Sequence, residues 1–102
     1  MNYQGTGTVA FVGVAIGGSE TVTAGGSGTV NTGSGANMVT LTTGSHVVNS
    51  TGNDTITSGG DGADTINASG SAALVNNPNG PLTFVGGAGS YTVMGGTGSV
   101  TV

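Results

Sequence analysis

The chain has 102 residues, of which 23 are glycine, four are carboxylates and one is histidine, with no lysine, arginine or cysteine and a formal net charge of −4. Without basic side chains it lacks the usual means of holding phosphates, which sets aside nucleic-acid binding and polybasic attraction to a membrane. No apolar run nears the ~20 residues of a membrane-spanning helix, so neither nucleic acid nor membrane insertion is expected.

High glycine often accompanies disorder, but disordered chains are rich in charge and proline. Here charged residues make up 4% and there are two prolines. The chain is rich instead in Val and Thr, whose branched Cβ favours extended backbone. Four aromatic residues and a row of valines cannot fill a wide interior. A fold that buries little and repeats often is expected.

In chain order, residues 1–4 form a short lead-in, and from Gly5 to Val102 the sequence reads as eleven blocks of nine within a single domain, 1–102. The first apolar stretch, Thr8–Ile16, is short and glycine-broken with no charged flank, a poor signal peptide. The eighth block position reads Val12, Thr21, Val30, Val39, Val48, Thr57, Ile66, Val75, Phe84, Val93, Val102. Nine of these eleven are apolar, and the two threonines have Val22 and Ile56 as neighbours. The fourth position reads Thr8, Gly17, Gly26, Gly35, Gly44, Asn53, Gly62, Ser71, Gly80, Gly89, Gly98; where glycine is missing it stands one residue earlier, at Gly7, Gly52 and Gly70. The glycines predict corners with φ above zero. The Val/Ile column predicts one inward side chain per short strand, with Thr, Asn and Ser beside it facing out.

One strand and one turn per block, two blocks per coil, predict a parallel β-solenoid of about 18 residues per coil and five to six coils. Right-handed coiling is the usual preference of parallel crossovers. No segment carries helical apolar spacing, and glycine does not recur at every third residue as collagen requires.

The block Gly59-Gly60-Asp61-Gly62-Ala63-Asp64-Thr65-Ile66-Asn67 matches G-G-x-G-x-D-x-U-x at every specified position, and Gly52-Asn53-Asp54-Thr55-Ile56 matches it in part, one residue early. The chain thus resembles the calcium-binding repeats of RTX (repeats-in-toxin) proteins, with most of its calcium motifs degenerate. The resemblance implies a β-roll, secretion by a bacterium and Ca²⁺ held between coils, with Asp61, Asp64 and Asp54 as the candidate ligands. A hard cation wants six to eight oxygens. With consecutive blocks on opposite sides of the roll, Asp64 is expected to face His46 and Leu82, and Asp54 to face Asn37 and Ala72. The site is therefore expected to be weak.

His46, alone among metal-ligating types in its block, is expected to be a solvated loop residue. Nothing resembles a nucleophile elbow, and no enzyme activity is expected. The stretch Asn76–Pro81 is rich in turn residues and is expected to form a protruding corner. Beyond it the sixth block position becomes Leu82, Tyr91 and Val100, each two residues before a core position and so on the same strand face. The last coils are expected to replace polar interior groups with apolar ones.

No polar or helical cap is apparent at either end, and solenoids normally need one. The leading expectation is an extracellular structural protein that stacks head to tail on itself into a filament. The alternative is a calcium-binding RTX module of a larger secreted protein. A third reading, ice binding or adhesion, rests on outward T-x-N rows such as Thr29-Val30-Asn31 and Thr65-Ile66-Asn67.

Overall fold

A computed structural model describes residues 2–3, 8–12, 21–33, 35–60, 62–70, 72–77 and 79–102. They form a parallel β-solenoid with about 18 residues per turn, and from Thr21 onward the chain makes about four turns. No helix occurs among the described residues. One sheet stacks β1 (Asn2–Tyr3), β3 (Thr21–Ala24), β5 (Met38–Leu41), β7 (Asn53–Ser58), β9 (Ala72–Asn77) and β11 (Ser90–Gly95) in that order. The other stacks β2 (Thr8–Val12), β4 (Ser27–Asn31), β6 (His46–Ser50), β8 (Asp64–Ala68), β10 (Leu82–Gly86) and β12 (Val100–Thr101). Successive strands alternate between sheets, and every pairing is parallel.

The core is one central column per sheet. Val30, Val39, Val48, Ile66, Val75 and Phe84 are buried as the block reading expects. Val93 is half-buried against them, whereas Val102 is 85% exposed because no described coil covers it.

The strict nine-residue phase fails at three places. Val22 and Ile56 are buried while Thr21 is exposed and Thr57 half-exposed, so the core column of the first sheet runs Val22–Val39–Ile56–Val75–Val93. In the second sheet Phe11, not Val12, stands opposite Val30, and Val12 stands opposite Asn31. Burial of a large aliphatic group outweighs an even period, because a one-residue slip exchanges the two faces of a strand.

The slip at β7 is coherent. Gly52, Asp54 and Ile56 all stand one residue ahead of the period. Ile56 pairs with Val39 seventeen residues before it and with Val75 nineteen after it. Between Ile56 and Gly62 the chain regains the lost residue in the Gly59–Gly60 corner, where Gly60 has φ 91°.

The glycine columns have a second cause besides φ. Gly26, Gly44 and Gly80 do have positive φ, at 71°, 87° and 76°. Gly98 does not, yet a Cβ there would sit 1.8 Å from the carbonyl oxygen of Gly80. A Cβ on Gly44 would meet Gly26 O at 2.0 Å, and one on Gly62 would meet Gly44 O at 2.0 Å. The corners are places where stacked backbones touch. The opposite corner follows the slip: a Cβ on Gly52 would lie 2.0 Å from Gly35 O, and one on Gly70 2.4 Å from Gly52 O. Gly89 is exposed in the last described corner of that side, and Gly17 lies outside the described residues.

Two outcomes test this arrangement. Ile56→Ala is expected to cost about 2–5 kcal/mol, the range for truncating a buried aliphatic side chain, and Thr57→Ala less than about 1 kcal/mol. Equal costs in urea titrations would refute the slipped register. Gly44→Ala, strained in φ and closed in space, is expected to lose about 2 kcal/mol or more, against about 0.5 kcal/mol or less for Met38→Ala on the outer face.

Candidate functional site: buried carboxylates and the open end of the stack

Each sheet sends a row of side chains inward on either side of its central column, because inward positions recur every second residue. At one corner Thr32, Ser50, Ala68 and Gly86 of the second sheet's side face Asn37, Asp54, Ala73 and Tyr91. At the other, Gly28, His46, Asp64, Leu82 and Val100 face Ala24, Leu41, Ser58, Asn77 and Gly95. Asp54 thus faces Asn37 as expected, and stands beside Ala73 where Ala72 was expected. Asp64 stands between His46 and Leu82 as expected.

Both carboxylates are 2% exposed. Asp54 Oδ2 accepts from Thr32 Oγ1 at 2.6 Å and Ser50 Oγ at 2.5 Å. Its Oδ1 accepts from the backbone N and the Nδ2 of Asn37, each at 3.0 Å. Asp64 Oδ1 accepts from His46 N at 2.9 Å and lies 3.2 Å from His46 Nδ1, and Oδ2 accepts from Ser58 Oγ at 2.5 Å. In a chain without Lys or Arg, these charges are held chiefly by hydroxyl and amide donors, and short O–H···O⁻ bonds are the strong kind.

His46 departs from expectation. It opens β6 and is 2% exposed, because the coil period brings Asp64 over it eighteen residues later. Its Nδ1 faces the Asp64 carboxyl, with the direction of that contact set by the imidazole tautomer. Its Nε2 is buried without a partner among the described residues.

The candidate calcium ligands are not brought together. Asp54 and Asp64 occupy opposite corners, each engaged by its own donors, and Asp61 lies outside the described residues. No group of three His, Asp or Glu gathers among the described residues. Sequence reasoning missed Thr32, Ser50 and Ser58 as carboxylate donors; their signal was their place two residues after the core positions Val30, Val48 and Ile56.

Towards the C-terminal coils the interior turns apolar. Leu82 is buried, and Tyr91, Val93 and Val100 pack half-buried on the core. The Tyr91 ring meets Phe84 edge-on, with centroids 5.5 Å apart and planes at 63°. Its hydroxyl donates to Gly70 O at 3.0 Å and accepts from Gly89 N at 3.1 Å. Above these residues a recess of about 600 Å³ opens, lined by Phe84, Val85, Gly86, Gly87, Tyr91, Val93 and Val102. On the outer face Asn67 Nδ2 donates to Asn49 Oδ1 at 3.0 Å, and Asn49 Nδ2 to Asn31 Oδ1 at 2.7 Å. This ladder ties three coils together and ends at the exposed Val85.

Comparison of the chain with protein-family profiles, with curated proteins and with solved structures finds no match. The likeness to RTX repeats rests on the motif residues alone.

Asp54→Asn is expected to keep the fold and lose about 1.5–3 kcal/mol, the range for hydrogen bonds to a charged group. Denaturant unfolding of the variant checks this, and an unchanged midpoint would mean that the four donors contribute nothing net.

Proposed function

We propose that this protein is an extracellular structural protein whose β-solenoids stack end to end into filaments. The observation that carries the reading is the apolar, open end of the stack. There, among the described residues, β11 and β12 each have a paired strand on one side only, and Phe84, Tyr91, Val93 and Val102 line an open recess. Unpaired strand edges beside apolar side chains are a template for another strand. β1 and β2 stand at the other ends of the same two sheets. A second copy adding its β1 to β11 and its β2 to β12 would continue both parallel ladders. Such a contact is heterologous and does not close, so it propagates.

Charge opposes the stack only weakly, since the formal net charge of each copy is −4. The absence of Lys and Arg, which denies trypsin a cleavage site, suits an exposed extracellular setting. Calcium is not needed on this reading. The carboxylates of Asp54 and Asp64 already have protein donors, so the stack is self-sufficient where the RTX repeats it resembles would use the ion.

Negative-stain electron microscopy with circular dichroism, in calcium and in excess chelator, tests the proposal. Uniform thin filaments are expected in both conditions. Val102→Asp, at a position already 85% exposed, is expected to leave the β-structure intact and abolish the filaments. Monomers that gain β-structure only with calcium would overturn the reading in favour of a calcium-binding module.

A further inference from the structure

We infer that Asn79 is a self-modification site: the amide nitrogen of Gly80 closes on the Asn79 side chain, and water then leaves aspartate or isoaspartate in place of asparagine. Of the nine asparagines, Asn79 alone is followed by glycine. That missing side chain leaves the attacking nitrogen unshielded. The fold adds three conditions. Asn79 is exposed in the bend between β9 and β10, outside any strand. The Gly80 N–H donates to no acceptor among the described residues, so no ladder bond has to break before it reacts. The Thr97 hydroxyl, one coil on, makes a long 3.4 Å hydrogen bond to Asn79 Oδ1. A donor there draws electrons from the carbonyl carbon and supports the oxyanion that forms on attack.

Other asparagines lack these conditions. Asn31, Asn49, Asn53, Asn67, Asn76 and Asn77 lie in strands. Asn37 is buried with its amide on Asp54.

The step balances without an oxidant or reductant. Solvent base removes the Gly80 amide proton, and the nitrogen bonds to Asn79 Cγ. The Cγ–Nδ2 bond breaks, and ammonia leaves with a proton from solvent. The resulting five-membered imide is opened by water at either carbonyl. The product carries a new carboxylate beneath the last corner, where Gly98 rests within backbone contact of Gly80. An isoaspartate there also lengthens the main chain by one carbon, beside the backbone contact between Gly80 and Gly98.

The test is to age the folded full chain at mildly alkaline pH in heavy-oxygen water. Fragments from cleavage at methionine are then sequenced by mass spectrometry, since trypsin has no site. Heavy oxygen is expected at Asn79 roughly tenfold faster than at any other asparagine, with isoaspartate detected by its methyltransferase. Asn79→Gln is expected to abolish it, and Thr97→Val to slow it in the folded chain but not in urea. Conversion spread evenly over the asparagines, or found only in urea, would overturn the assignment. Equal folded-state rates for Thr97→Val and the parent would remove the part given to Thr97.

Discussion

Backbone contact at the corners sets the frame for everything else in this molecule. Parallel coils stack at about 4.8 Å, and at the corners the carbonyl of one coil occupies the space a Cβ would need on the next. The imagined Cβ atoms of Gly44, Gly62 and Gly98 all fall about 2 Å from the preceding coil's carbonyl oxygen. Side chains are excluded there, so the coils close to full ladder contact, and each strand residue lies directly above its counterpart. Rows follow from this: a valine column, an asparagine ladder, carboxylates set against hydroxyls. At Gly52, which stands one residue early, the following strand slips with its corner. Asp54 and Ile56 still arrive on the inner face.

Within that frame the interior is graded. The middle coils bury two carboxylates, and the last ones bury Leu82, Phe84 and Tyr91. Burying a charge costs several kcal/mol unless it is fully hydrogen-bonded. Lacking cations, the chain meets this need with serine and threonine hydroxyls and with strand-start N–H groups. Such donors cost little side-chain entropy to order compared with a long lysine or arginine. They are also short enough to fit between sheets in a body whose shortest principal extent is 14 Å.

The solenoid was legible because glycine and valine columns recur over the whole chain, and periodicity is the signal that a sequence carries most clearly. The strand-face reading of Leu82, Tyr91 and Val100 held for the same reason. The slips were only half legible. Val22 and Ile56 stood beside the threonines that an even period favoured, and deciding between neighbours needed the burial that only the folded coil supplies. His46 was the plainest miss. The coil period placed Asp64 opposite it, but the same period gave no sign that the pair would be buried, 2% exposed each, where a solvated loop histidine was expected. The carboxylate donors were hidden likewise, since serine and threonine are plentiful and only the corner geometry singles out Thr32, Ser50 and Ser58.

A solenoid differs from a closed fold in that its repeating contact has no natural last member. Each coil of this chain is stabilised by the ones on either side, through two ladders and three inward rows. Among the described residues, the coil formed by β11 and β12 has that support on one side only. Had its inner rows been polar, water could have taken the place of a neighbour. They are instead Tyr91, Val93 and Val100, half-buried on the core, the first two lining an open recess, and exposed apolar surface beside open strand edges favours association. Whatever supplies the next coil must bring a parallel strand to each edge, glycine at the corners and apolar groups between. This chain's own repeat meets all three requirements, which is the physical reason a second copy is the partner proposed above.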